Sequence, residues 1–543
     1  MDAVHETIFV RGGDLLGVAD GGWRRLLLPL LPVVGALCLI PLANLYPGEV
    51  YGYRFAAFLE RVNLGSARLR FRNLILKTLG PALTIGTGGS AGVEGPIAQI
   101  GGTVGSQVGQ LFRVSGDKMR VFVAAGSAGA IAATFNAPIA GVMFAMEIIL
   151  LGNYELRSFA AVVVASGIST VVSRSYYGES PEFPVPFYDM VSPMEIPLYL
   201  LLGLLLGALA VIYIKVFYRI RDAFDAWTVS PYLKPVVGAA LVGLIGVVYP
   251  QVMGNGYHVI EQALEGHMLV RTMIALVFLK ILATSLTLGS GGAGGVFAPA
   301  LLIGAMAGGG FGSVVHGLFP AWTAGYGAYA AVGIGAFLSA ATHAPLTGIF
   351  LLFELTGNYQ IIIPIMFAAV AGTTVARRLD HDSIDTVDLT RKGIDLHSGR
   401  ESTIMGAIKV REVMNTDFYS VHEQAPLTVV IDTLTRADSF YLPVVNNDME
   451  MVGIVSYQDI KTVLFEEDVK RIVRAGSLAT EDPVTLHPED SLNTAAERLA
   501  RMDLGELPVV DPDNPRKVLG MVARSTVVAA YQREVLRWAH QKA

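Results

Sequence analysis

The sequence predicts an all-α polytopic membrane domain built of two inverted repeats with short, broken helices, followed by a tandem pair of small α/β modules. Three observations predict it. The 543-residue chain is 52% hydrophobic and 16% charged, with a mean hydropathy of +0.51, and its apolar residues concentrate before about Arg377. A glycine-rich block, Gly86-Thr-Gly-Gly-Ser-Ala-Gly92-Val-Glu94-Gly-Pro96, recurs without a gap as Gly289-Ser-Gly-Gly-Ala-Gly-Gly295-Val-Phe297-Ala-Pro299, an offset of 203 (residue 289 against residue 86). The last third is hydrophilic and contains its own repeat, Leu442-Pro-Val-Val445 and Leu507-Pro-Val-Val510.

Taken in order, Leu26–Leu45 is the first apolar span, preceded by Arg24 and Arg25. Residues 1–22 lack the apolar core of a cleavable signal peptide. Residues 54–77 collect five arginines and Lys77, an excess that the positive-inside rule assigns to the cytoplasmic face. Apolar segments follow at 96–112, 119–133, 138–151, 158–173, 196–219, 234–250, 268–288, 297–311, 327–341, 345–356 and 361–376. Several fall short of the roughly 20 residues that cross a bilayer core. Short segments interrupted by glycine and proline predict broken helices meeting at mid-depth around a polar path. The domain boundaries read as 1–379 for the membrane part, with halves at about 24–219 and 231–379. A linker with a final short helix covers 380–410, and the two modules cover 411–466 and 474–536.

The repeat extends downstream. Ala137-Pro138 with Glu147 lines up with Ala344-Pro345 with Glu354, and these two glutamates read as structural caps or interhelical pairs. Asn136 and His343, just before the Ala-Pro turns, read as loop contacts. The chemistry lies in the glycine blocks. A helix start carries unpaired N–H groups and the positive end of the helix dipole, so it suits an anion. The N–H groups of Val93, Glu94 and Gly95 predict one anion cradle, and those of Val296 and Phe297 a neighbouring one. Backbone donors fit an ion that must also leave, since a fixed Lys or Arg would hold it too tightly. Glu94 faces Phe297 in the alignment, so packing symmetry does not require it. A carboxylate in an apolar membrane segment costs ~2.5–3.5 kcal/mol on insertion scales, which marks Glu94 as a gate that fills the anion's place when ionised.

Gly92-Val-Glu-Gly-Pro96, Gly294-Gly-Val-Phe-Ala-Pro299 and Phe353-Glu-Leu-Thr-Gly-Asn-Tyr359 resemble the CLC chloride channel and transporter family, and the tail resembles paired CBS modules. The resemblance covers nearly the whole chain. It implies a homodimer in a lipid bilayer, one path per subunit for chloride or a similar monovalent anion, Glu94 as the gating glutamate, and a cytoplasmic tail on a prokaryotic inner-membrane protein. Three departures stand out. Tyr53 sits nearest the place of the family's anion-binding serine, Asp385 replaces its inner-gate tyrosine, and Ile148 stands at the internal proton-transfer glutamate of the exchangers. Only the tail of the family's first long helix would fit within residues 1–22. Ile148 tilts the reading towards a channel or uncoupled conductance. The alternatives are a chloride/proton antiporter and a transport-incompetent membrane-anchored nucleotide sensor. In the tail, Ser456 and Asp459 match a pattern in which Ser and Asp hold a ribose, whereas the second module has Ala523 and Thr526 there. An adenine nucleotide is therefore a candidate ligand of the CBS pair, and a dimerising role is its rival. No cofactor is required. No nucleophile–base pair or metal cluster supports an enzyme, and a net charge of −6 without a basic tract gives no reason for nucleic acid as a partner.

Overall fold

Helix succeeds helix from Leu30 to Leu379 in the computed structural model, which describes residues 9, 11, 22–114, 116–151, 156–178, 190–394, 404–406, 408–437, 439–461 and 472–541. Most of residues 1–22, much of the linker and the end of the first tail module lie outside these. The chain divides into two compact units, Met1–Leu389 and Thr390–Lys542.

In the first unit the helices are α1 (Leu30–Leu45), α2 (Phe55–Asn63), α3 (Arg72–Gly86), α4 (Glu94–Leu111), α5 (Asp117–Phe135), α6 (Pro138–Phe144), α7 (Leu156–Tyr177) and α8 (Glu195–Ala226). They continue as α9 (Leu233–Val248), α10 (Tyr257–Leu264), α11 (Val270–Gly289), α12 (Phe297–Leu318), α13 (Tyr326–Thr342), α14 (Pro345–Thr356) and α15 (Ile362–Leu379). Among the described residues six helices are long and apolar enough to cross a membrane, including α8, α11, α12 and α15; α9, α13 and α14 are apolar but shorter.

The two repeats pack alike, and the reason is in their small residues. A Cβ on Gly101 of α4 would lie 2.3 Å from the carbonyl of Gly126 on α5. Its counterpart, a Cβ on Gly304 of α12, would lie 2.4 Å from the carbonyl of Gly333 on α13. Without side chains there, the paired helix backbones touch, as small residues permit in membranes. Helix α5 ends on Asn136 at φ +55° and α13 on His343 at φ +57°, left-handed positions that Asn and His accept more readily than most residues. Arg174 donates to the side chain of Asn136 (2.6 Å) and Arg377 to the carbonyl of His343 (2.7 Å).

The halves also cap each other. Glu147, in a π-helical turn at Ala145–Ile149, accepts from the N–H groups of Leu346 (3.0 Å) and Thr347 (2.7 Å) and from the Thr347 hydroxyl (2.8 Å), all at the start of α14. Glu354, on α14, accepts from Ile139 (2.8 Å) and Ala140 (2.7 Å) at the start of α6. Each Pro-opened helix thus receives a carboxylate from the other repeat, which satisfies its orphan donors and complements its dipole.

The second unit has two small cores. One joins Val421, Leu427, Val430, Leu442, Val444 and Val455; its sheet runs β1 (Val421–His422), β2 (Tyr441–Val445), β3 (Met451–Ser456), with β1 parallel and β3 antiparallel to β2. The other pairs β4 (Glu506–Val510) with β5 (Val518–Ala523). Ile408 and Val410 belong to this second core, and Asn415 bridges to Met521, so the chain enters the tail through its second module.

Candidate functional site

The two glycine loops meet. The N–H of Gly92 donates to the carbonyl of Gly295 (2.8 Å) and the N–H of Gly295 to that of Gly92 (2.7 Å). Thr84 and Thr287, themselves 203 positions apart in the repeat (residue 287 against residue 84), cross-brace them. The Thr84 hydroxyl accepts from Ala293 N–H and the Thr287 hydroxyl from Ser90 N–H, both at 3.0 Å.

Glu94 is wholly buried at the start of α4. One carboxylate oxygen accepts from the N–H of Ala298 (3.1 Å) in the first turn of α12; the other accepts from the hydroxyl of Tyr257. Gly92 makes the room, since a Cβ there would lie 2.3 Å from the carboxylate. The carboxylate therefore sits at the helix start belonging to the other repeat. Its backbone donor is Ala298, just beyond Val296 and Phe297. The N–H groups of Val93, Gly95, Val296 and Phe297 donate to no acceptor among the described residues. Tyr257 opens α10 after Gly256 at φ +88°, and Lys280 secures that approach. Fully buried on α11, Lys280 donates to the carbonyls of Val252 and Gly254, each at 3.0 Å, and its charge is within electrostatic range of Glu94. Tyr257 and Lys280 were missed in the sequence, although one cation inside the apolar run of α11 is a signal for function.

Aromatic rings lead away from Glu94. Phe297 meets Phe135 and Phe144, each with centroids 6.1 Å apart; Phe144 meets Phe55 at 6.4 Å, and Phe55 stacks on Tyr53 at 6.3 Å. At the end of this series the hydroxyl of Tyr53 donates to Asp385. Two of the three departures from the family pattern, 332 residues apart, are thus one contact. The third, Ile148, is buried in the π-helical turn beside Glu147. Beside α2 and α3 lies a recess of ≈ 480 Å³, open solvent included, whose lining includes Arg54, Arg61, Lys77, Glu49 and Gln99.

In the tail, Asp459 accepts from both the N–H and the hydroxyl of Ser456, each at 2.7 Å. A recess of ≈ 540 Å³, open solvent included, lies instead along Ala523, Thr526, Ser439, Tyr441, Asp417 and Glu506, so it opens on the positions where Ser and Asp are replaced. Burial pushes the Glu506 carboxyl up, against the opposing hydrogen bond from Ser439. A carboxyl raised in the folded state binds its proton more tightly there, so stability falls as pH rises through the window above the ordinary carboxylate range. Glu506→Gln is therefore expected to raise the melting temperature of residues 390–542 at pH 7 and to leave it unchanged near pH 4, measured by thermal unfolding.

Among the described residues no group of three or more His, Cys, Asp or Glu forms a metal site. Residues 34–377 match the voltage gated chloride channel family, and residues 410–466 and 475–533 match CBS domains. The chain is 33% identical over 383 residues to a ClcB-like chloride channel protein of Ralstonia nicotianae, covering 69% of this chain and 87% of that one. It is 34% identical over 313 residues to the H(+)/Cl(-) exchange transporter ClcA of Citrobacter koseri, covering 56% of this chain and 66% of that one. A crystal structure of a slow cyanobacterial Cl-/H+ antiporter superposes with a TM-score of 0.65 at 24% identity, over 72% of this chain and 93% of that one, which shows the fold. The paired glycine loops, the cross-repeat caps and these matches together make the chain a member of the CLC family of anion channels and transporters, carrying two CBS domains.

Proposed function

We propose that this protein moves chloride or a similar monovalent anion across a bilayer, with Glu94 as its gate. One observation carries the reading: a buried carboxylate fills the space before α12 and takes a backbone N–H there, beside further N–H groups that have no protein acceptor. Such a place suits an anion, and the ionised carboxylate holds it in the anion's stead. Protonation removes the charge that binds Glu94 to Ala298 and Tyr257, so the side chain swings away and the N–H groups of Val93, Glu94, Gly95, Val296 and Phe297 are left to the ion. The protein acts as a homodimer with its tail in the cytoplasm, and the tail's role is regulatory or dimerising.

Ile148 supports conductance without stoichiometric proton movement, because an apolar side chain cannot pass a proton inward. The likeness to an H(+)/Cl(-) exchange transporter supports the second reading, proton-coupled exchange. The test is anion efflux from vesicles holding the purified protein, with chloride, bromide, nitrate or fluoride inside and pH recorded at the same time. The expected result is chloride efflux without a matching proton flux. A fixed proton-to-chloride ratio would transfer the protein to the exchange reading, and efflux no faster than from empty vesicles would overturn both.

The basic recess beside α2 and α3 gives a further expectation. Arg54, Arg61 and Lys77 raise the local anion concentration at low ionic strength, where the Debye length is long. Lys77→Gln should lower chloride flux by about two- to threefold at low salt, and the difference should fade near 0.5 M salt as screening sets in.

A further inference from the structure

Asp385 is only 5% exposed, and among the described residues no Lys, Arg or His lies within ion-pair distance of it. The nearby Arg221 is committed to Asp388, with a hydrogen bond of 2.7 Å. Nor does the Asp385 carboxylate serve the backbone. Ser383 caps the following turn, its carbonyl accepting from Thr386 (3.0 Å) and Val387 (3.3 Å), while the one donor to the Asp385 carboxylate among the described residues is the Tyr53 hydroxyl. A buried carboxylate with neither a cation nor a structural task is costly to keep.

A second observation points to a ligand at the same place. The hydroxyl of Tyr213, on a side chain with no exposure, has no hydrogen-bond partner among the described residues and is within electrostatic range of Asp385. Buried hydroxyls are nearly always satisfied, so this one calls for an occupant. The groups that face Asp385 are Tyr53 from the loop before α2, Tyr213 and Tyr218 from α8, and, one turn away, Asp388 paired with Arg221. Tyr218 is occupied, donating to the carbonyl of Ile384 (2.9 Å).

We propose that Asp385 is a second exchangeable carboxylate on the anion path, and that the hydroxyls of Tyr53 and Tyr213 bind the anion when it is neutral. The inference rests on the reading of the path given above, since Tyr53 and Glu94 stand at opposite ends of the Phe297–Phe144–Phe55 series. When Asp385 is ionised it accepts from Tyr53, and its charge repels an entering anion. When a proton binds, the new O–H can donate to the Tyr53 oxygen, which frees the Tyr53 O–H to turn, with that of Tyr213, toward a chloride. A carboxylate is replaced by a neutral acid plus one anion, so the buried net charge stays the same and no other group need titrate. The path thus has a carboxylate at each end, and the inner one answers to pH on the face away from Tyr257.

The test is chloride efflux from vesicles holding the full-length protein, with pH stepped separately on each face, for the wild type, Glu94→Gln, Glu94→Gln with Asp385→Asn, and Tyr53→Phe. Glu94→Gln should keep a titration on one face, with faster efflux in acid, and adding Asp385→Asn should flatten it. Tyr53→Phe removes the one donor to the ionised form, so its midpoint on that face should move up by about one pH unit. This variant alters a single hydroxyl, and it carries the test even if the aspartate variants do not assemble. A Glu94→Gln efflux flat on both faces, or a Tyr53→Phe midpoint equal to the wild type, overturns the inference while leaving the outer gate standing. Wild-type efflux no faster than from empty vesicles would instead overturn the reading of the path itself.

Discussion

Glu94→Gln is expected to pass chloride at neutral pH at the rate the wild type reaches only in acid, and to lose the pH dependence on the face where Tyr257 stands. The amide has the shape of the protonated acid and no charge to hold it against Ala298 N–H. In the wild type the fraction of open gates falls about tenfold for each pH unit above the carboxyl's titration point, so at sufficiently high pH the two proteins should differ by about tenfold or more. The sign follows from the geometry: both partners of Glu94, the Ala298 N–H and the Tyr257 hydroxyl, donate to it, and both favour the ionised form that plugs the path. Tyr257→Phe removes one of them, so it should move the same transition toward lower proton demand, opening the gate at a higher pH than in the wild type. Efflux measured at matched protein density over pH 4–8 separates these outcomes.

The largest effect on stability is expected at the crossed caps. Glu147→Ala strips two backbone N–H groups and the Thr347 hydroxyl of their acceptor at the start of α14, and Glu354→Ala strips two N–H groups at the start of α6. Hydrogen bonds to a charged group contribute about 1.5–3 kcal/mol each, and a lost cap about 1 kcal/mol, so either substitution should cost about 3 kcal/mol. Thermal unfolding in detergent reads this as a marked fall in melting temperature. The same variants separate a cap from a proton relay. Glu147 adjoins Ile148, where the exchangers carry their inner glutamate, and a relay role would alter proton movement or the pH profile of efflux. A cap leaves both unchanged per folded molecule, so Glu147→Gln should be less stable yet titrate like the wild type.

The parts legible in the sequence were those written twice. The offset of 203 aligned the glycine loops, and the second block paired Glu147 with Glu354 as caps, as their bonds to the opposite repeat bear out. Asn136 and His343 read as loop contacts and close their helices in left-handed turns. What escaped was asymmetric or distant. The donor to Glu94 is Ala298 because a carboxylate's reach is set by side-chain length and helix approach, which spacing does not encode. Tyr257 comes from a loop between repeats, with no counterpart to mark it. Lys280 was visible as a lone cation in α11, but only the fold turns it toward the 252–254 carbonyls. Tyr53 and Asp385 stood out as two separate departures, and only the folded chain makes them one pair. Thr84 and Thr287 obey the repeat offset yet attract no notice until the loops they brace are seen to touch.

The central claim is that the Glu94 carboxylate occupies an anion's place. Bromide soaked into crystals of the wild type and of Glu94→Gln, located by its anomalous scattering, tests it most directly. The account predicts a bromide within hydrogen-bonding distance of Ala298 N–H in Glu94→Gln and none at that position in the wild type at neutral pH. A wild-type bromide there with the Glu94 carboxylate still in place, or a Glu94→Gln protein with no bromide between the two glycine loops, would contradict it.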